Sequence, residues 1–192
     1  MDKGRLEAFS DGVIAVIITI MVLELKAPHA PTLAAVWVLW PVLLSYVLSY
    51  VYVGIYWNNH HHLFKAVERI DGRVMWANLH LLFWISLFPF VTAWMSENHF
   101  SAVPTALYGG VLLMAAVAWP LLARTLIASN ATDSPLVSAM GRDAKGKLSI
   151  ALYALAIPLA LFVNPGIACA LYVAVALIWF VPDRRMERAV VP

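Results

Sequence analysis

The sequence predicts an all-α polytopic membrane protein organised as a single six-helix domain over residues 1–192. Three observations predict it. Of the 192 residues, 62% are hydrophobic and only 12% charged, whereas about a quarter of a soluble domain is charged. Apolar runs long enough to cross a bilayer recur along the whole chain. The cations between those runs fall almost entirely on one side.

A helix crossing a hydrocarbon core of about 30 Å needs about 20 mostly apolar residues. Six stretches qualify in turn, at 6–25, 33–58, 74–95, 104–127, 148–163 and 166–182. The last two are short and separated only by "NPG", which predicts a tight hairpin. Pro41, Pro89, Pro120 and Pro158 fall within these stretches, where each removes an N–H and predicts a kink. With the N-terminus in the cytoplasm, the inner segments hold 12 of the 13 Lys and Arg residues, leaving Lys26 outside. Six spans with both termini cytoplasmic follow from the positive-inside tendency. Trp37 and Trp94 near the outer ends, with Trp57, Trp76 and Trp179 near the inner ends, fit an interfacial aromatic belt.

Several function classes lose support. A net charge of +2 gives no electrostatic footprint for nucleic acid. The single cysteine, Cys169, allows neither an intrachain disulfide nor a cysteine metal cluster. No HExxH, GxSxG, Walker-type loop or carboxylate pair suited to acid–base work is present, so neither an enzyme nor a resident cofactor is expected. His60, His61, His62 and His80 invite a metal or proton-relay reading, yet consecutive histidines on a helix point about 100° apart. At most one or two could serve one ion, and no metal site is expected. "YGGV" at 108–111 lies within an apolar run and reads as close helix packing around Gly109 and Gly110. The start "MDKGRLEAFSDG" lacks a signal-peptide pattern, so the first helix is expected to be retained.

The first stretch carries the most information. At about 100° per residue, Val16, Ile20 and Leu23 share one narrow stripe with Thr19 on its edge, while Asp11 points roughly 140° away from Val16. An apolar stripe in a membrane helix ordinarily meets lipid or protein. A carboxylate is different, because it costs roughly 2.5 to 3.5 kcal/mol within a membrane helix unless it finds a partner. Asp11 should therefore face protein, with Arg5, His60, His61, His62, Asn78 and His80 as candidate partners.

Arg5, Phe9, Ser10 and Asp11 form an R-x-x-x-F-S-D motif followed by the unbroken "GVIAVIITIMVLEL". This resembles the first-helix signature of the transmembrane protein 175 family of potassium channels, with "YWNNHHHLF" at the end of the second span as weaker support. The resemblance implies a bacterial inner-membrane channel in which four identical subunits surround one pore lined by the first helix. It puts bulky constricting side chains at Val16, Ile20 and Leu23, with Thr19 matching a threonine layer implicated in selectivity. Val16 departs from the larger isoleucine or leucine usual at the innermost ring, so a ring of valines would be wider. Arg5, Ser10 and Asp11, with His61 or a neighbour as partner, would form a polar network near the inner mouth. Potassium is implied as the permeant ion, and the lipid bilayer and further copies of the chain as partners.

No TVGYG loop occurs, so any selection must arise without a carbonyl-cage filter. Glu24, near the outer end, could gather cations there or pair with Lys26. A different class, a small proton-coupled secondary transporter using Asp11 and a histidine, fits the same polar residues.

Overall fold

The computed structural model describes residues 2–130 and 143–180. Within them the chain is helical: α1 (Lys3–Leu23), α2 (Leu33–Val38), α3 (Trp40–Lys65), α4 (Gly72–Ser86), α5 (Phe88–Glu97), α6 (Ala102–Ser129), α7 (Ala144–Phe162) and α8 (Pro165–Phe180). Arg142, Arg184, Arg185 and Arg188, four of the cations expected on the cytoplasmic side, lie outside the described residues.

Proline placement divides two of the expected spans. Pro41 and Pro89 sit at the second positions of α3 and α5, within the first turn, where the missing N–H is harmless and the fixed φ suits a helix start. The stretch expected at 33–58 accordingly breaks at Leu39, and α3 continues to Lys65, past the histidines. The stretch expected at 74–95 breaks at Leu87 into α4 and α5. Pro120 and Pro158, in contrast, lie inside unbroken α6 and α7. Among the described residues five segments are long and apolar enough to cross a membrane: α1, α3, α4 with α5 taken together, α6 and α7. Helix α8 is apolar but has only 16 residues.

Side chains fix several helix starts. The carboxylates of Asp2, Asp71 and Asp143 accept from the backbone N–H of Gly4, Val74 and Gly146, and Thr32 accepts from Ala35, satisfying otherwise orphaned donors. Asn130, just past α6, accepts from the N–H groups of Glu68 and Arg69 and donates to the Arg69 carbonyl. The α3–α4 turn is thereby tied to the end of α6.

Helix α6 packs against α4, α5, α7 and α8, while α1 packs at the edge against α3, α4 and α5. The central position of α6 depends on small side chains, since Ala115, Ala118 and Ala123 are fully buried. A Cβ at Gly109 would overlap the Tyr172 hydroxyl, so α8 approaches α6 this closely only because that position is glycine. The interior also holds bonded hydroxyls. Ser49 Oγ lies 2.6 Å from Thr92 Oγ1 and 3.0 Å from Tyr108 OH, and Tyr52 OH donates to the Tyr172 carbonyl at 2.6 Å. Such bonds join helices where apolar contact alone does not distinguish protein from lipid.

Candidate functional site: the two faces of helix α1

Helix α1 has one face committed to its own protomer. Leu6, Ser10, Ile14, Ile17 and Met21 are buried, following the spacing of a single helical stripe. Val16, Thr19, Ile20 and Leu23 lie on another face. Val16 is 56% exposed, Ile20 42% and Leu23 73%, and Thr19 is exposed as well. None of these four is wedged inside the protomer. The structure therefore leaves the stripe read from the sequence uncovered.

Thr19 Oγ1 donates to the carbonyl of Ala15 at 2.9 Å. With its proton used one turn back, the hydroxyl oxygen keeps lone pairs to offer outward. Such an oxygen is chemically able to accept from a donor or to face a cation. Glu24 caps the C-terminus of α1 and is exposed. It borders a groove of about 470 Å³ that also touches Ile20, Phe90, Trp94 and Glu97. Among the described residues Glu24 and Lys26 form no ion pair; Arg73 and Asp71 do, at 3.1 Å.

At the other end of α1, polar groups divide into two sets. The first is buried. Ser10 Oγ donates to the Leu6 carbonyl at 2.8 Å and accepts from Asn78 Nδ2 at 2.9 Å. That orientation turns Asn78 Oδ1 toward His60 Nε2, 2.8 Å away. Because the amide oxygen can only accept, His60 must donate from Nε2, which fixes the proton on that nitrogen. His60 also stacks on Phe64 with centroids 4.3 Å apart.

In the second set Asp11 and Trp57 are exposed and His61 is half-buried. Trp57 Nε1 donates to Asp11 Oδ1 at 3.0 Å, joining α3 to α1. His61 stacks on the Trp57 ring with centroids 6.0 Å apart and planes inclined by 16°. Arg5 and Phe9 are exposed on the same helix.

The residues singled out in the sequence are thus only partly brought together. Ser10 reaches a histidine through Asn78, and that histidine is His60. His61 approaches Asp11 only by way of the indole of Trp57. His80 accepts from Trp84 Nε1 at 2.9 Å and is occupied there. The part played by Trp57 escaped sequence reasoning, which read it as an interfacial anchor. The available signal was its place in "YWNNHHH", one helical turn before His61. Glu97, the last residue of α5, was missed because its place in the sequence does not say which groove it borders. Among the described residues no cluster of three His, Cys, Asp or Glu side chains is arranged to hold a metal ion.

A model of the family described as "endosomal/lysosomal potassium channel TMEM175" matches residues 5–89, which contain all of the α1 features above. The chain is 49% identical over 189 residues to a potassium channel of Chryseobacterium sp. (strain P1-3), covering 98% of each chain. It is 35% identical to a potassium channel of Streptomyces collinus, covering 82% of this chain and 80% of that one. Its fold matches the crystal structure of a lysosomal potassium-selective channel TMEM175 homologue from Chamaesiphon minutus. That match has a TM-score of 0.81 and 29% identity, and it covers 95% of this chain and 97% of the other.

Proposed function

From the premise that this chain belongs to the TMEM175 family, we propose that it is a potassium-permeable cation channel of the bacterial inner membrane, formed by four copies around a pore lined by α1. Each copy contributes its single domain with six spans and cytoplasmic termini. The observation that carries the reading is the division of α1. One stripe, from Leu6 to Met21, is buried in the protomer, while Val16, Thr19, Ile20 and Leu23 stay uncovered. Lipid and protein both accept such a face, and it is the family membership that favours four copies meeting on an axis, which turn the stripe onto a central route.

The mechanism follows from size and hydration. Rings of Ile20 and Leu23 make a narrow apolar constriction that closes by dewetting, because it cannot replace the water around a cation. Opening dilates it. Potassium surrenders water more readily than the smaller sodium ion, so it crosses a partly desolvating constriction at lower cost. The Thr19 oxygens offset part of that cost. Val16, being smaller, forms the wider ring. Selectivity is accordingly modest and needs no carbonyl cage. Glu24 adds negative potential at the outer mouth, and the Arg5, Ser10, Asp11 and His61 region controls assembly and gating at the inner one.

Purified protein in a planar bilayer tests this directly. Unitary current steps with potassium, larger or more frequent than with sodium, are the expected result. Proton-coupled flux of fixed stoichiometry without unitary steps would favour the transporter reading instead.

A further inference from the structure

The turn between α3 and α4, residues 66–71, is gripped from two sides. Asn130, just past α6, commits every hydrogen-bonding position of its amide to backbone. Its Oδ1 accepts from the N–H groups of Glu68 and Arg69 at 3.1 and 3.0 Å, and its Nδ2 donates to the carbonyls of Arg69 and Leu126 at 3.0 and 2.8 Å. From the other side Lys3, the first residue of α1, donates through Nζ to the Val67 carbonyl at 2.8 Å. A cation at the start of a helix opposes that helix's own dipole, whereas just beyond the end of α3 the sign is reversed. Lys3 is disfavoured by its own helix and favoured by the neighbouring one.

We propose that Asn130 and Lys3 are positioning residues for conduction, which through the α3–α4 turn set where the inner end of α1 stands and hence how often the pore is open. About 10 Å along α1 from Lys3, the helix is fixed again, by Ser10 to Asn78 of α4 and through it to His60 of α3. Both attachments run to the two helices that the turn joins, so the inner half of α1 follows the turn. Asn130 in its place fixes the turn to α6. Val16 lies only about 9 Å beyond Ser10 along the axis, so a shift at the turn reaches the uncovered stripe through fewer than two turns of helix. The side chain at 130 is closely specified. Aspartate lacks both donors, and glutamine carries its amide one carbon further from the backbone, so neither reproduces the four bonds.

Resting on the reading of α1 as the pore-lining helix, this role of Asn130 and Lys3 also has a readout that needs no conduction. Hydrogen exchange of the detergent-purified protein follows the amides of residues 7–11 of α1. Asn130→Leu and Lys3→Met should each raise their exchange about fivefold or more, while residues 172–176 of α8 keep the parent rates. In planar bilayers each variant should change open probability about threefold or more, both in the same direction. The double variant should go no further than the stronger single one, because the two act through one turn. Unitary conductance and the potassium-to-sodium permeability ratio should stay at parent values, since the constriction is untouched, and Lys3→Arg, which keeps a donor, should keep the parent open probability. Unchanged exchange at residues 7–11 would overturn the proposal. Exchange raised throughout the chain would signify lost stability alone and overturn it too, as would additive effects in the double variant or an unaltered open probability. A parent that passes no unitary current would overturn the channel reading, and the control of opening with it, while the exchange result still reports whether Asn130 holds α1.

Discussion

Asn78 of α4 donates its amide N–H to Ser10 Oγ of α1 over 2.9 Å, and neither side chain has any solvent exposure. This bond joins the family's F-S-D motif to a helix 68 positions away in the sequence. Its other end is His60 of α3, so three helices share one buried polar line. Such a line must be complete, because each group left unpaired keeps the cost of losing its water.

Asn78→Ala should therefore lower stability by about 1–3 kcal/mol, since it strands the donor on His60 Nε2. Ser10→Ala should cost less, because Asn78 loses only one of its bonds. Melting temperatures of the purified proteins check the order, and an Asn78→Ala protein as stable as the parent would show that the line carries no weight.

Asp11→Ala should impair assembly or gating, and Trp57→Phe should reproduce much of the effect by removing the indole donor. In a double-mutant cycle the two residues should couple by about 0.5–3 kcal/mol, as contacting pairs do. Oligomer mass and single-channel open probability are the measurements. Strictly additive effects would mean that the 3.0 Å bond is incidental.

Ile20→Asn and Leu23→Asn should raise potassium leak into liposomes, because a polar ring stays wetted. Flux unchanged in correctly assembled protein would remove both residues from the pore.

Thr19→Val preserves shape and deletes the oxygen that faces outward. The potassium-to-sodium permeability ratio should fall, and Thr19→Ser should keep it. Reversal potentials under mixed-ion gradients report the ratio, and an unaltered value in Thr19→Val would locate selectivity elsewhere.

Gly109→Val should destabilise the protein by about 1–3 kcal/mol through collision with Tyr172. Gly110→Ala should be close to neutral, since nothing lies within 4 Å of its added carbon. Equal melting temperatures for the two variants would contradict the close approach of α6 and α8.

How much was legible before the structure differs from residue to residue. Composition and run length reveal a helical membrane chain, because backbone groups in lipid must be satisfied within each segment. The 100° spacing alone put Val16, Ile20 and Leu23 together, and α1 leaves that stripe uncovered. The division of the second and third stretches at Leu39 and Leu87 was less readable. A proline in an apolar run can lie inside a continuous helix, as Pro120 and Pro158 do, or at the start of a new one, as Pro41 and Pro89 do.

The sequence by itself determined the class of the protein, the family motif on α1 and which α1 residues share a face. Tertiary structure alone decided that Ser10 faces Asn78 and His60, that Asp11 meets Trp57, and that the Leu6–Met21 stripe is the one turned inward. The reason is that lipid, neighbouring helices and a hydrophobic pore all accept the same apolar side chains, so periodicity cannot say what a face meets. Which of three adjacent histidines finds a partner depends on how far α3 is rotated about its axis, and that rotation is set by packing against α1, α5 and α8 together.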